Sequence, residues 1–218
     1  MNVFFKAVAA VAVVFLVCET AQAEMYIGGS LGSSAMVPTV AEDSINQWNA
    51  FVWGPGNDCD TLGCYSEQAS SYGLKLFAGY RFNPYFAAEG FVAYLGSFDA
   101  YANDGLSVYS YTTADVSTLG IAAVGLIPLG SGRVSLLGKL GLHSWSAEGT
   151  VDLWDTAADD GVLGVYSTSG IDGMGGIGVQ IDFGERAAMR LEFEYFAANT
   201  DYTEFGIGLL SVGGMFRF

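Results

Sequence analysis

Basic residues are scarce in this chain of 218 residues. Lys and Arg together number eight against 23 Asp and Glu residues, and the formal net charge is −15. Nucleic-acid binding depends largely on Lys and Arg that neutralise phosphates, so we expect no nucleic-acid partner. The chain has one His and three Cys residues, and we expect neither a metal centre nor a cofactor.

Long apolar runs are also missing beyond the first residues. No run of about 18 apolar residues or more follows residue 23, whereas a transmembrane helix needs about 20. Residues 24–218 have a length that fits one domain. The chain is nevertheless apolar, with a mean hydropathy of +0.37, 30 Gly, 15 Phe, 12 Tyr and only 14% charged residues. This composition favours a sheet protein that exposes apolar surface to something other than water.

Residues 1–23 have the layout of a secretory signal peptide. Lys6 gives a positive start, residues 7–17 form an apolar core, and Ala21-Gln22-Ala23 is a small-x-small cleavage site. The apolar core is too short to span a bilayer. We therefore expect signal-peptide cleavage after residue 23 and export of residues 24–218.

Cys18 and the pair Cys59 and Cys64 have different predicted roles. Cys18 lies near the cleavage region, so lipid attachment there is the alternative to conventional cleavage. Val17 disfavours lipidation, because Gly or Ala normally precedes a lipidated Cys. Cys59 and Cys64 flank DTLG in a predicted loop, and in an oxidising compartment we expect a disulfide between them. Free thiols or metal ligation are the alternatives for this pair.

Alternation of side chains is the strongest structural signal. Residues 71–98 predict two strands joined at Asn83-Pro84, a strong turn dipeptide. In the first strand Lys75 lies on the face opposite the apolar face, and in the second strand Glu89 does. Further apolar faces are set against Lys139, Arg190, Glu192, Glu194 and Arg217. Apolar faces about ten residues long with charge on the reverse side are the signature of a transmembrane β-barrel.

The prediction is an all-β fold, an antiparallel up-and-down barrel of eight strands. Their approximate ranges are 24–34, 71–82, 85–97, 113–127, 133–146, 170–183, 187–198 and 204–218. Short turns are predicted at Asn83-Pro84, Pro128–Gly132 and Gly184–Arg186, and longer loops at about 35–70, 98–112 and 147–169, with a short fourth near 199–203. Outer-membrane barrels have short periplasmic turns and long outer loops, so we expect both termini on the periplasmic side.

A soluble barrel of the lipocalin type is the structural alternative. Such barrels place apolar side chains inside and polar ones towards water. Here five of the seven Lys and Arg residues after residue 23 lie opposite the apolar faces, and the other two, Arg133 and Arg186, flank short turns. Basic residues that faced water would not be placed so selectively, which favours the membrane barrel.

GYRFNPYFAAEGFVAYLG (Gly79–Gly96) and GGMFRF (Gly213–Phe218) resemble the transmembrane domain of OmpA-type outer-membrane proteins. The resemblance covers the architecture after residue 23, but only these two stretches in motif. It implies contact with outer-membrane lipid and lipopolysaccharide, and a structural or surface-interaction role with at most slight porin activity. It also implies that Phe216 and Phe218 form a signal recognised by the barrel-assembly machinery. The peptidoglycan-binding domain of full-length members has no counterpart here, so we expect no cell-wall tether.

Six charged residues are predicted to meet in the barrel interior: Lys75, Glu89, Lys139, Arg190, Glu192 and Glu194. Eight strands leave a lumen just wide enough for side chains, and buried charges must pair. The favoured interpretation is a salt-bridged plug that holds the barrel shut. The alternative is a gate, as described in the family that the chain resembles, and hence a small-solute pore. This assignment assumes regular strands, because a β-bulge would exchange the inward-facing and outward-facing residues of the strand beyond it.

GMGGIG (Gly173–Gly178) fits the glycine pattern of a dinucleotide-binding loop. It lies within a predicted strand of an all-β chain, without the helix that phosphate binding requires, so we expect no cofactor there. Glycines in a strand more often allow a bend or a close approach of neighbouring strands.

The single histidine, His143 in LHSWSAEG, is the basis of an enzyme hypothesis. Some small outer-membrane barrels are lipid A deacylases or acyltransferases that use a His with a Ser and an acid. Ser144, Ser146 and Glu148 lie nearby in sequence. The deacylase pattern resembles His-x-Ser, however, whereas Trp145 stands two residues after His143, and both serines fall on the opposite strand face. We expect an interior polar His and no catalytic residues.

Acidic residues concentrate in the predicted long loops, which contain no Lys or Arg. The favoured interpretation is a solvated rim. The alternative is that the loops recruit Ca²⁺ or Mg²⁺, which prefer carboxylate oxygens and would link the rim to lipopolysaccharide phosphates. DTAADDG (Asp155–Gly161) is the densest candidate, and its spacing does not match an EF-hand loop.

Overall fold

The computed structural model describes residues 24–37, 64–68, 70–103, 108–130, 133–155, 160–199 and 204–218. Its strands are β1 (Glu24–Val37), β2 (Cys64–Gln68), β3 (Ser70–Asn83), β4 (Phe86–Asn103), β5 (Val108–Leu129), β6 (Val134–Asp155), β7 (Asp160–Phe183), β8 (Ala187–Asn199) and β9 (Glu204–Arg217). No helix in these ranges has the length and apolarity to cross a membrane. The predicted signal peptide lies outside the described residues and stays a prediction.

Eight of the strands close into an antiparallel barrel. The strands β3 to β9 pair in chain order, and β1 pairs with both β3 and β9, which closes the cylinder. In the described ranges, β2 pairs with β4 alone, beyond the end of β3. The predicted eight-stranded up-and-down barrel is confirmed, and β2 is one additional short strand.

The tight turns all lie at one end of the barrel, which we call the turn end. They join β3 to β4, β5 to β6 and β7 to β8. The Asn83 side chain accepts hydrogen bonds from the backbone N–H groups of Tyr85 and Phe86, which fixes the first turn. Gly130 and Gly184 have φ angles of 52° and 78° in the other two, a conformation that favours glycine. We call the opposite end the loop end.

The predicted loops at 98–112 and 147–169 are wrong in extent. The strand β4 continues to Asn103 and β5 begins at Val108, while β6 and β7 stay paired up to Asp155 and Asp160. Backbone pairing between neighbouring strands continues through these stretches, although their polar and acidic composition suggested loops. Acidic residues assigned to these two loops therefore lie in strands: Asp99, Glu148, Asp152, Asp155 and Asp160. Glu67, in the predicted loop at 35–70, lies in β2.

Strands on one side of the barrel extend further than the others at the loop end. The strands β1 and β8 stop at Val37 and Asn199, and β9 begins at Glu204. The pairing of β7 with β8 begins only at Met174 and Phe196. Five strands continue beyond this level, and we call them the projecting sheet; it consists of residues 64–68, 96–103, 108–119, 144–155 and 160–171.

The outer wall of the barrel carries a belt of exposed apolar side chains, as the alternation predicted. Towards the loop end, the belt stops at Leu119 on β5, Leu142 on β6 and Ile171 on β7. The next outward-facing residues on these strands are Ser117, Ser144 and Ser169. A water-soluble barrel would not expose an apolar band of this size. The belt consists of Ile27, Leu31, Tyr72, Leu74, Leu76, Phe82, Tyr85, Phe86, Leu119, Ile121, Ile127, Leu129, Leu136, Leu140, Leu142, Ile171, Ile177, Ile181, Phe183, Met189, Leu191, Phe193, Leu210, Val212, Phe216 and Phe218.

Candidate functional site: a buried ion cluster

Six charged side chains meet inside the barrel, and they are the six that the alternation placed there. Each is at most 3% exposed. Three are cationic and three anionic, so the group is formally neutral. We call it the ion cluster: Lys75 on β3, Glu89 on β4, Lys139 on β6, and Arg190, Glu192 and Glu194 on β8.

Lys139 lies at the centre of the ion cluster. Its Nζ is 2.7 Å from Glu89 Oε1, 2.7 Å from Glu192 Oε1 and 3.3 Å from Glu194 Oε1. Lys75 pairs with two of the same carboxylates, with Nζ 3.0 Å from Glu192 Oε2 and a close contact to Glu194. A buried charge without a partner costs several kcal/mol, and each of these five has at least one opposite charge beside it.

Aromatic rings lie beside the cations of the ion cluster. The Nζ atoms of Lys75 and Lys139 and the Cζ of Arg190 are 5.4, 5.6 and 5.2 Å from the centre of the Phe77 ring. Arg190 also lies 5.1 Å from the Tyr26 ring, and Tyr26 donates a hydrogen bond of 3.1 Å to Glu89. Rings at these distances attract cations and exclude water, so they favour a closed cluster.

GMGGIG provides space for two of the glutamates. Gly176 and Gly178 lie opposite Glu194 and Glu192 in the β7–β8 ladder. A Cβ on Gly176 would lie 2.9 Å from Glu194 Cγ, and a Cβ on Gly178 would lie 3.1 Å from Glu192 Cγ. Close approach therefore accounts for these glycines, in agreement with the structural interpretation of the motif.

Side chains fill the lumen on both sides of the ion cluster. Towards the turn end, Arg190 Nε donates to Gln180 Oε1 at 3.0 Å, Gln180 Nε2 donates to Asp182 at 2.9 Å, and Asp182 pairs with Arg217. Towards the loop end, large apolar side chains are almost completely buried. They are Phe91, Leu95, Phe98, Trp145, Phe196, Ile207 and Leu209. A lumen filled in this way is expected for eight strands.

His143 is an interior residue of this packing. It is 2% exposed, its Nδ1 lies 2.8 Å from Thr118 Oγ1, and its ring meets the Phe196 ring edge-on. Ser144 and Glu148 are exposed on the opposite face of β6. The His, Ser and Glu side chains of LHSWSAEG are therefore not brought together.

Phe216 and Phe218 lie on the outer wall at the turn end. They are 45% and 72% exposed, and their ring centres are 5.3 Å apart. The backbone N–H of Phe218 donates to Met25 O at 2.9 Å, so the last residue is held beside β1. Recognition of these rings by the assembly machinery stays a prediction.

Two other predicted sites lie partly outside the described residues. Cys59 lies outside the described residues and Cys64 begins β2, so the disulfide stays a prediction. Residues 156–159, at the centre of DTAADDG, also lie outside the described part of the chain. The described residues contain no group of three or more His, Cys, Asp and Glu side chains that could hold a metal ion.

Sequence reasoning missed a polar site around Asp172 on β7. Its carboxylate accepts hydrogen bonds from Trp145 Nε1 at 2.7 Å and from the backbone N and side-chain Nδ2 of Asn199 at 2.9 and 2.7 Å. The site lies where β7 separates from β8. The feature of the sequence that could have indicated this site is an acidic residue in a glycine-rich strand, two residues from Met174, which is buried in the structure.

An apolar outer belt around a closed barrel with paired charges inside defines an integral β-barrel protein of the outer membrane. Residues 6–218 match the family model described as outer membrane protein beta-barrel domain, and the chain belongs to this family. No curated protein matches the chain significantly.

Several solved outer-membrane barrels are similar in structure. Neisserial surface protein A is 15% identical, with a TM-score of 0.51 over 89% of this chain and 97% of that chain. Ail, the attachment invasion locus protein of Yersinia pestis, is 15% identical, with a TM-score of 0.47 over 90% and 99%. OprG from Pseudomonas aeruginosa is 12% identical, with a TM-score of 0.43 over 90% and 95%. At these identities the likeness concerns the fold alone.

Proposed function

We propose that this protein is a closed, non-enzymatic barrel that serves envelope integrity or surface interaction. The ion cluster carries this proposal, because its charges are neutral in sum, paired and sealed on both sides by packed side chains. Conduction requires a hydrated path, and such a path would have to separate these pairs in a medium of low dielectric constant. The barrel therefore conducts at most slightly.

Conductance across a planar bilayer tests this proposal against its alternative, a small-solute pore. We expect the purified wild-type barrel to show no steady open-channel current. A steady current that Lys139→Met or Glu192→Gln abolishes would establish the pore instead. Gel mobility with and without boiling verifies that each protein is folded, because a stable barrel migrates differently after boiling.

The proposed orientation places the turn end in the periplasm and the loop end outside the cell. Short turns on the periplasmic side are the rule for outer-membrane barrels, and β1 then begins and β9 then ends in the periplasm. A cysteine introduced at exposed Leu163, in the projecting sheet, should react with a membrane-impermeant thiol reagent on intact cells. Labelling only after the outer membrane is opened would reverse the orientation.

The absence of enzymatic activity is the second part of the proposal. A His acting as general base must lie within hydrogen-bond reach of its nucleophile, and His143 faces Thr118 and Phe196 inside the barrel. Incubation of the folded protein with lipid A should release or transfer no acyl chain. Any such product that depends on His143 would establish the lipid A-modifying alternative.

The proposed partners are membrane lipid, lipopolysaccharide and, during biogenesis, the barrel-assembly machinery. Phe216 and Phe218 support the last, because both rings are exposed at the turn end beside the closing seam. Changing both to Asp should prevent assembly, because charge on the lipid face is unfavourable and the aromatic signal is lost. Normal levels of this variant in the outer membrane would refute the assignment.

The acidic residues of the loop end are proposed to form a solvated rim, with divalent cations as the alternative partners. A calcium titration of the folded barrel compares wild type with an Asp155/Asp159/Asp160→Asn variant. The same weak, salt-screened response in both supports the rim. Saturable binding lost in the variant would support a cation site.

A further inference from the structure

Four arginines lie at the turn end of the barrel, and they are the basic residues that the ion cluster does not use. Of the seven Lys and Arg residues after residue 23, three belong to the ion cluster. The other four are Arg81, Arg133, Arg186 and Arg217. The projecting sheet at the loop end contains no Lys or Arg. Positive charge outside the ion cluster is therefore concentrated at the turn end.

Two of these arginines face the lumen on either side of β1. Arg81 lies opposite Glu24 in the β1–β3 ladder, and Arg217 lies opposite Tyr26 in the β1–β9 ladder. Neighbouring strands are about 4.8 Å apart, so the two long side chains reach the same space, and their charges interact there. We call this space the turn-end mouth; the inward-facing residues around it are Glu24, Arg81, Asp182 and Arg217.

The carboxylates of the turn-end mouth do not satisfy both guanidinium groups. Arg217 pairs with Asp182, whose Oδ1 also accepts a hydrogen bond of 2.9 Å from Gln180. In the part of the chain that the structure describes, Arg81 has no carboxylate within ion-pair distance, and its guanidinium donates to the backbone oxygen of Pro84 at 3.3 Å. The positive charge of Arg81 is thus not neutralised by a direct contact with a described residue.

Each of the two guanidinium groups also has a buried donor that is not used. The Nε atoms of Arg81 and Arg217 are buried, and neither has a hydrogen-bond partner among the described residues. Arg217 as a whole is only 6% exposed. A buried N–H without an acceptor is unfavourable, so two of them beside one opening indicate a ligand that accepts hydrogen bonds. Arg81 and Asp182 are partly exposed, which leaves a route by which such a ligand enters.

We propose that the turn-end mouth binds a phosphate group, which accepts hydrogen bonds from Arg81 and Arg217. Guanidinium groups suit oxyanions because they donate two parallel hydrogen bonds. The oxygens of a phosphate point in tetrahedral directions, so one phosphate accepts from arginines on both sides of β1. The two oxygens of a carboxylate lie in one plane and fit a single guanidinium. The phosphate is either inorganic or part of a phospholipid headgroup, and the site does not depend on which end of the barrel faces the periplasm.

Isothermal titration calorimetry tests the site on the full barrel folded in dodecyl maltoside, a detergent without phosphate. The probes are inorganic phosphate and glycerophosphoglycerol, the water-soluble headgroup of phosphatidylglycerol, each added at constant ionic strength. We expect saturable binding of at least one probe, and binding of acetate at least about tenfold weaker. Binding of inorganic phosphate alone would identify free phosphate as the ligand, and binding of glycerophosphoglycerol alone would identify the lipid headgroup. Binding of both would support a site that recognises the phosphate group in either form.

A matched pair of variants locates the binding. Arg81→Met and Arg133→Met each remove one positive charge from the turn end, but Arg133 lies in an exposed turn outside the mouth. We expect Arg81→Met to weaken binding at least about tenfold and Arg133→Met to change it by less than about twofold. Gel mobility before and after boiling verifies that each variant is folded.

Arg81→Lys provides a second variant that keeps the charge of the mouth. It removes the planar pair of donors, and we expect binding at least about threefold weaker than in the wild type. This variant decides the question if Arg81→Met does not fold. The proposal would be overturned by the absence of saturable binding of both probes, by equally tight binding of acetate, by equal losses in Arg81→Met and Arg133→Met, or by wild-type binding in the folded Arg81 variants.

Discussion

Gly176 lies directly opposite Glu194 in the β7–β8 ladder, and its missing side chain leaves the space through which Glu194 reaches two lysines. The ion cluster therefore depends on an uncharged residue as much as on its charges. A strand that brings two glutamates into a narrow lumen needs small neighbours beside them, because interiors are close-packed.

Replacing Gly176 by Ala tests this relationship. The new Cβ would lie 2.9 Å from Glu194 Cγ and 3.1 Å from the Phe193 carbonyl oxygen, and we expect a loss of about 1–3 kcal/mol in the free energy of unfolding. The control is Gly175→Ala on the outer face, whose Cβ meets only Leu140 Cδ2 at 3.6 Å and Lys139 O at 3.7 Å. Urea unfolding of the two folded variants should separate them, and equal midpoints would contradict the packing argument.

Lys139→Met should be among the most destabilising changes in the barrel. Lys139 contacts three carboxylates, and its removal leaves the cluster with an excess negative charge in a buried site, at a cost of about 3–5 kcal/mol. Arg133→Met, in an exposed turn, is the control and should change stability by less than about 0.5 kcal/mol. Adding Glu192→Gln restores neutrality and should recover part of the loss. A double variant no more stable than Lys139→Met would argue against charge imbalance as the cause.

Leu140 and Leu163 provide a test of where the lipid ends. Their exposed fractions are similar, 76% and 68%, but Leu140 lies in the apolar belt and Leu163 in the projecting sheet. Leu140→Arg should cost about 2–4 kcal/mol in lipid vesicles, because charge near the bilayer midplane is unfavourable. Leu163→Arg should be nearly neutral. The measurement is the free energy of unfolding from vesicles, and similar losses for both would place the projecting sheet within the membrane.

Asp172→Ala should loosen the point where β7 leaves β8. The change removes the hydrogen bonds that Asp172 accepts from Trp145 and Asn199, with an expected cost of about 1–3 kcal/mol. Amide exchange at Asn199 should become faster, while exchange at the turn end stays unchanged. Asp152→Ala, exposed on β6, is the control. If Asn199 exchanged equally slowly in both variants, the contact would not be fixing the strand end.

The members of the ion cluster were predictable from the sequence because each strand keeps its two-residue alternation through the charged positions. The one bulge in β4 falls between Tyr94 and Gly96, beyond Glu89, so it does not move Glu89 to the outer face. Gly96 has a φ angle of 118°, which accommodates the bulge. The pairing within the cluster was not predictable. Which lysine meets which glutamate depends on the stagger of strands distant in sequence.

The length of the projecting sheet was not predictable from composition. Residues 144–155 are rich in acidic and small polar residues, which are typical of loops, and their strand form comes from uninterrupted pairing with β5 and β7. Tertiary pairing overrides local propensity in such cases. The role of Asp172 also depends on β7 and β8 separating, a feature of the assembled barrel that no local pattern encodes.

The ladder between β1 and β9 has a consequence for the order of folding. Every other ladder of the barrel joins strands that are much closer along the chain, whereas this one joins Tyr26 to Arg217 and Val37 to Gly206. Closing so large a loop has the greatest entropic cost of any pairing here. The hairpins should therefore form early as a curved, open sheet, and the joining of its two edges should be the slow, final event that turns the sheet into a cylinder.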